Sequence, residues 1–439
     1  MNNKEKEILL KKRYNAEKRF RFFGISSIII ALSFLCILLI NIFTNGLSAF
    51  SRTKILLKID FNEKKLGINL SSTEKEIKLK KLGINLSSTE KEIKQANFDE
   101  VLQEALLSLA PNAPELKQAE LIDLVSIDAT IELKKFYLKN KDVLNKTAEV
   151  ALTLSDDIDQ VHKGNFPRDI PEDRRRFSDF QLKIYDEQIA KKKIISEFNW
   201  PFIFNADSRE PEIAGVGASL MGSFFTLIVC LLLSFPLGIL AAIYLEEFAP
   251  KNKITEIIEV NVNNLAAVPS IVFGLLGLGV FLNYFYLPRS TPLVGGIVLA
   301  LMTLPRIIIP CRAALKAVPP SIREGALALG ASKVQTVMHN VVPLAMPGTL
   351  SGTIIGLSQA LGETAPLLLI GMVAFINVVP STPLDPSAVL PVQVYLWSES
   401  AERGFVEKTS ATIIILIFFL AIMNSFAIYL RNKFEKKWS

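Results

Sequence analysis

Pro319-Pro320-Ser321-Ile322-Arg323-Glu324-Gly325-Ala326, followed by Gly330-Ala331-Ser332 and then by Pro343, Pro347 and Gly348, joins a polar helix-turn-helix to an apolar run that carries one carboxylate, Glu363. Ser321 and Glu324 have the spacing of a capping box, in which each side chain satisfies a backbone N–H left free at a helix start. A short helix is therefore predicted there. Gly330 can take the left-handed conformation that ends it, and Ser332 can cap a second helix carried to about Val342, ahead of Pro343. Two short helices joined by a glycine turn make a docking shape, presented by the loop 319–347.

Outward from this loop the chain is strongly segregated. Half of its residues are hydrophobic and 21% are charged, yet six apolar runs are long enough to cross a hydrocarbon core of ~30 Å. They lie near 22–43, 222–244, 264–286, 293–311, 349–373 and 410–430. The first is too long for a signal-peptide core and no small-residue cleavage site follows Phe43, so it is expected to stay as an anchor. Lys4, Lys6, Lys11, Lys12, Arg13, Lys18, Arg19 and Arg21 precede it, and Arg431, Lys433, Lys436 and Lys437 follow the last run. Basic residues flank spans on the cytoplasmic side, so residues 1–21 and the tail 431–439 are both expected in the cytoplasm. Six spans satisfy that parity and place Arg306, Arg312, Lys316, Arg323 and Lys333 in one cytoplasmic loop, with Arg306 and Arg312 ending the fourth span. The net charge of +6 then needs no nucleic acid to explain it.

Residues 45–214 form a polar block between the first and second spans, long enough for a domain of its own and expected outside the cytoplasm. Ile55-Leu56-Leu57-Lys58-Ile59-Asp60-Phe61 alternates as a half-buried strand does, and Val101, Leu102, Ala105, Leu106 and Leu109 recur at helical spacing. A mixed α+β domain is predicted. The charged stretch from Arg168 to Lys193 reads as a solvated helix and loop. Residues 64–78 recur unchanged at 80–94. Two copies are too few for a stacked solenoid, and an exposed loop tolerates such an insertion best.

Three further motifs accompany the loop: Phe235-Pro236-Leu237-Gly238 running on to Glu246-Glu247, Asn263-Asn264-Leu265-Ala266-Ala267-Val268-Pro269-Ser270-Ile271-Val272-Phe273-Gly274-Leu275, and Gly362-Glu363-Thr364-Ala365-Pro366-Leu367-Leu368. With Glu324, Ala326, Gly330 and Pro343, they resemble the phosphate-transport permeases of bacterial ABC importers over roughly residues 198 to 430. Gly325 stands where that family usually has Ala, and Asn340 and Val342 replace its usual Ile and Leu. The block 45–197 more weakly resembles an extra N-terminal domain carried by some of these permeases. The resemblance implies an α-helical polytopic protein of the bacterial cytoplasmic (inner) membrane, with six transmembrane helices of ABC-importer permease type over 22–43 and 215–430 and the α+β domain inserted between helices 1 and 2. It implies as partners a homologous permease, two ATPase subunits and an extracytoplasmic phosphate-binding protein, within membrane lipid. It also implies that Ser321, Glu324, Gly325, Ala326, Gly330, Ser332 and Pro343 belong to the loop that couples to an ATPase.

Chemistry within the spans is sparse. Glu363 is an ionisable group at membrane depth, a placement costing several kcal/mol unless it faces a cavity or a partner, so it is a pathway candidate with Gln359, Thr364, Pro269 and Ser270. The plainer reading is a packing carboxyl bonded to Thr364, Gln359 or a neighbouring helix. In the family that the sequence resembles, an Arg is common one turn before this Glu; here Gln359 adds no charge, and a paired permease is the expected source of the cation. Pro236, Pro269 and Pro366 are expected to kink or break helices. Trp200, Phe202, Phe204, Tyr284 and Tyr286 flank spans as an outer aromatic belt does. Cys36, Cys230 and Cys311 read as packing residues, and His162 and His339 lie too far apart in sequence for one site. No Cys/His cluster with metal spacing and no Walker-type phosphate loop occurs, so no cofactor is expected and ATP is expected on the partner subunit. An importer of another oxyanion, molybdate or sulfate, would keep the same coupling loop. A membrane-tethered sensor is weaker, because only 431–439 follow the last span and leave no room for an output module.

Overall fold

The apolar run after Arg21 lies within one long helix, α1 (Asn3–Gly46), in the computed structural model, which describes residues 3–66, 96–111 and 113–434. Phe22, Ile29, Phe34 and Ile40 are all more than half exposed, and a helix apolar all round finds its solvent in hydrocarbon. Its C-terminal end meets the last helix so closely that a Cβ on Gly46 would lie 2.8 Å from the Ala411 nitrogen. The chain then enters a sheet at once.

That sheet is antiparallel, in the order β2-β1-β3, with β1 (Ser51–Asp60) central between β2 (Thr147–Thr153) and β3 (Ile194–Phe198). Leu57 faces Val150 and Lys54 faces both Thr153 and Ile195. The predicted alternation holds: Ile55, Leu57 and Ile59 are buried, with Phe61 just beyond the strand. Against them pack α2 (Phe98–Leu107), through the predicted stripe Val101, Leu102, Ala105 and Leu106, and α3 (Ala129–Lys139), through Leu133 and Tyr137. Two further helices, α4 (Asp156–His162) and α5 (Asp179–Ala190), close the same core; α5 starts on a Ser178–Gln181 capping box and lies in the stretch expected as solvated helix and loop. His162 spends its Nδ1 on the Tyr185 hydroxyl at 2.7 Å. The repeat 64–78/80–94 lies, beyond Leu66, outside the described residues.

The second half is helical. It comprises α6 (Gly217–Ile243), α7 (Lys253–Ala266), α8 (Ser270–Leu276), α9 (Pro292–Ala317), α10 (Pro320–Ala328), α11 (Val342–Gly362), α12 (Ala365–Leu369) and α13 (Gly404–Phe434). Among the described residues, five helices are long and apolar enough to cross a membrane, or up to six if one bent pair counts as a span. The most enclosed is α9. Small residues let its neighbours approach: a Cβ on Gly296 would meet Val229 of α6 at 2.5 Å, and one on Gly352 of α11 would meet Pro310 at 2.4 Å.

Two of the predicted apolar runs are broken helices, as expected near their prolines. The run 264–286 is not one helix: α7 and the segment from Ser270 to Tyr284 meet at a 103° bend, where Pro269 has no N–H to give and disfavours helical geometry at Val268. The run 349–373 ends as a helix at Gly362, and Pro366 sits in the first turn of the short α12 that follows. Pro236, by contrast, is carried inside α6 without interrupting it.

The sheet domain and the helical half share a polar junction. Asp156 accepts from the Gly404 N–H at 3.1 Å, Lys163 pairs with Asp159 at 2.6 Å and with Glu407 at 2.8 Å, and the Lys408 ammonium donates to the carbonyls of Pro211 and Ala214. Phe202 is fully buried beside Trp397 and Phe405 and so is core, whereas Trp200, Phe204, Tyr284 and Tyr286 are exposed. Cys230 and Cys311 are buried and Cys36 is exposed.

Candidate functional site

The docking loop forms, but not by the predicted cap. Pro319 is the N-cap of α10 and Pro320 its first residue, where a missing N–H costs nothing, so Ser321 and Glu324 lie inside the helix, exposed, with no capping box. The C-terminus matches expectation. Gly330 has φ +88°, its N–H donates to Leu327 O at 2.9 Å, and Ala331 N–H donates to Ala326 O at 3.1 Å, the paired bonds of a Schellman ending. Ser332 caps the next helix in a full capping box with Gln335. Gly325 faces open space and would accommodate the alanine usual in the family.

The second helix does not stop before Pro343. Lys333–Thr336 continues through a π-helical turn, Val337–Val341, directly into α11. The wide turn puts the Val342 N–H on Val337 O and makes room for a proline ring that would otherwise clash with the carbonyl four residues back. Val337 and Val341 are buried with Ile243 and Leu315, so the loop is continuous with the bundle interior. Leu329 is 90% exposed and Val334 58%, giving the loop an apolar outward face, on which His339 is also exposed.

Arg323 fixes α10 from below. Its guanidinium pairs with Glu247 at 2.6 Å and donates to Leu315 O at 2.9 Å and Val318 O at 2.7 Å, which joins the end of α6 and the end of α9 to the loop. Sequence reasoning missed this anchor, although a Glu246-Glu247 pair at one helix end and an Arg just past another were its visible signal. Arg312 is a second hub, 3.3 Å from Glu246 and 2.7 Å from Glu259.

Glu363 lies at the break between α11 and α12, extended at φ −78° and ψ 122°. Its carboxylate is 3.8 Å from Arg306, and both side chains are about one-fifth exposed, at 19% and 22%. Arg306 does not end a span on the cytoplasmic side, as its sequence position suggested: α9 runs on to Ala317, leaving Arg306 midway along it. This chain itself brings a cation to Glu363, where the sequence had pointed to a paired permease. Arg306 Nη1 is buried with no acceptor, so the pair leaves a donor unused. Gln359 is exposed, and among the described residues no hydrogen bond joins it or Thr364 to Glu363. Pro269 is the N-cap of α8 and Ser270 its first residue. Gly274 of α8 lies so close to α12 that a Cβ would come within 2.7 Å of Pro366 Cα, so the two broken helices pack on each other.

Residues 234–439 match the binding-protein-dependent transport system inner membrane component family, and residues 7–172 match a domain of unknown function, DUF3333. The chain is 30% identical over 244 residues to the probable ABC transporter permease protein YqgH of Bacillus subtilis, covering 54% of this chain and 76% of that one. It belongs to the ABC-transporter permease family. The permease is also 31% identical over 222 residues to the phosphate transport system permease protein PstA 1 of Mycobacterium tuberculosis, covering 49% of this chain and 70% of that one. Its likeness to the probable permease YqgI of B. subtilis is 32% over 177 residues, 40% of this chain, and spans 59% of that relative's length.

Proposed function

We propose that this permease subunit forms part of the pathway of an ATP-driven phosphate importer, with Arg306 and Glu363 as its membrane-depth contacts and Gln359, Thr364, Pro269 and Ser270 around them. The observation that carries this reading is the Arg306–Glu363 pair at a helix break, with one guanidinium nitrogen buried and unused. Similarity to proteins named as phosphate permeases supports the substrate. A chemical argument supports it too. An Arg next to a carboxylate suits an anion that still carries a proton: the guanidinium donates to the oxyanion, while the carboxylate accepts from P–OH and repels a fully ionised ion. Hydrogen phosphate keeps such a proton near neutral pH; sulfate and molybdate keep none.

In the same reading the chain has six spans, both termini are cytoplasmic, and the sheet domain, residues 45–214, is extracytoplasmic. A homologous permease, two ATPase subunits and a phosphate-binding protein complete the complex. The loop carrying Ser321, Glu324, Gly325, Ala326, Gly330, Ser332 and Pro343 seats on an ATPase subunit. Closure of the ATPases moves α10, and the Arg323 contacts pass that motion to α6 and α9. No bond in the substrate is broken.

The test is radiolabelled phosphate uptake by the assembled transporter, with sulfate and molybdate as competitors. Glu363→Gln should lower phosphate uptake with assembly intact and narrow the preference for phosphate over sulfate. Arg306→Gln should abolish uptake, and the double variant should be less damaged than the two single losses add up to, as expected for groups in contact. Parental uptake and selectivity in Glu363→Gln would reduce the pair to helix packing.

A further inference from the structure

A second site lies in a groove between α6, α11 and α13. The groove has a volume of about 340 Å³ and is lined by apolar side chains, among them Leu231, Phe235, Leu357, Leu361, Met423 and Ala427. Leu232 and Phe426, which also line it, are 66% and 58% exposed, so it opens sideways from the bundle. A polar spot interrupts it, where the Ser358 hydroxyl donates to the Asn424 side-chain Oδ1 at 2.5 Å. The lining on α11 runs from Leu350 to Leu361, a length of ~16 Å at 1.5 Å per residue. That is the depth of one leaflet of a ~30 Å hydrocarbon core. A membrane-crossing helix would need twice the length.

The groove ends at a cation. Arg431 follows Leu430, the last lining residue of α13, and its Nη1 donates across to Ser351 Oγ of α11 at 3.3 Å, next to the lining residue Leu350. Its other described acceptor is the Asn432 side chain at 3.5 Å, and among the described residues no carboxylate lies within ion-pair reach of it. Lys433, two residues further and so on another face of α13, is exposed. A strip of apolar surface one leaflet deep, closed at one end by a guanidinium with no carboxylate partner among the described residues, complements the shape and charge of a phospholipid with an acid headgroup.

We propose that this groove holds one acyl chain of an anionic phospholipid, with the lipid phosphate on Arg431, and Lys433 adding only to the local positive potential. Basic residues between spans on the cytoplasmic side are where anionic headgroups bind, so the inner leaflet supplies the lipid; this assignment rests on the cytoplasmic C-terminus proposed above. Ser358 and Asn424 satisfy each other, which leaves the chain's path apolar, and the site is independent of the Arg306–Glu363 pair. It ties α13 to α11 through the membrane itself.

The probes are phosphatidylglycerol and phosphatidylcholine. The assembled transporter is reconstituted in vesicles of each, re-extracted in mild detergent, and its retained lipid counted by mass spectrometry. Phosphatidylglycerol should be retained over phosphatidylcholine, and Arg431→Gln should lower that retention about fivefold, with a further loss on adding Lys433→Gln. Leu357→Trp, which fills the groove and leaves both cations in place, should lower it as well. Equal retention of the two lipids, or retention unchanged in Arg431→Gln and Leu357→Trp alike, would overturn the site. So would efficient cross-linking of Leu357→Cys to the paired permease, which would make the groove a protein interface. Because the readout is bound lipid, a transporter that failed to carry phosphate would leave this result intact.

Discussion

If α10 seats on an ATPase subunit as proposed, replacing Arg323 by alanine isolates the joint through which its motion would reach the membrane. The side chain holds Glu247, itself only 8% exposed, at 2.6 Å and donates to the Leu315 and Val318 carbonyls at 2.9 and 2.7 Å. Hydrogen bonds to a charged group contribute about 1.5–3 kcal/mol each, and stranding a buried carboxylate without its cation costs about 3–5 kcal/mol. Arg323 is partly exposed, so water replaces some of the loss and the lower end, about 3 kcal/mol, is the working figure. That is enough to turn a loop docked more than 99% of the time into one docked about half the time. The assay is transport stoichiometry in the reconstituted complex: phosphate taken up per ATP hydrolysed, with ATPase copurification as the control for assembly. Arg323→Ala should keep ATPase bound while uptake per ATP falls severalfold, and adding Glu247→Gln should recover part of the loss by removing the stranded charge. Parental stoichiometry in Arg323→Ala would refute the idea that this anchor transmits the stroke.

Two further outcomes follow from local geometry and burial. Gly330→Val should uncouple ATPase from uptake, because a branched side chain at φ +88° costs at least ~1 kcal/mol and redirects the helix that Ser332 starts; Gly330→Asn should be milder, and normal uptake in the valine variant would exclude the turn as a coupling element. Asp156 has its pKa pushed up to about 7, chiefly by burial and then by nearby Glu212, against the favourable charge of Lys408. A carboxyl held protonated in the folded state supports folding fully below about pH 4 and loses that support as pH rises through 7, a change of order ~4 kcal/mol. Asp156→Asn should therefore melt with the parent below about pH 4 and increasingly above it as pH rises to 8; equal melting at both values would show that the junction leaves Asp156 ionised.

Much of the fold was legible because single elements follow local rules. Alternation marked Ile55 to Phe61, a helical stripe marked Val101 to Leu106, and both landed in one core because each buries a single face. Pro269 broke the third span for the reason expected of a proline, and Gly330 took the turn that only glycine takes cheaply. The failures arose where two local signals competed. Ser321 looked like a cap, yet Pro320 is better at the first helical position and moved the start of α10 back to Pro319. Pro343 looked like a stop, yet a π turn, which leaves no mark in hydrophobic periodicity, absorbed it.

The site was legible as a residue and illegible as a pair. Glu363 stands out in any apolar run, and Gln359 correctly said that the preceding turn offers no charge. What sequence spacing could not say is that α9 continues beyond Arg306 and brings it level with the break in α11, since the crossing depends on how closely the helices pack. That closeness rests on small residues: at Gly356 of α11 a Cβ would lie 3.5 Å from Arg306 Cβ and 3.2 Å from Thr303. A larger residue at Gly356 would push the helices apart and lengthen a 3.8 Å contact that is already loose for an ion pair. On the proposed function that looseness has a use. A tight bidentate pair would hold both charges against each other, whereas a long contact with one guanidinium nitrogen still free leaves Arg306 able to take an anion without first losing Glu363.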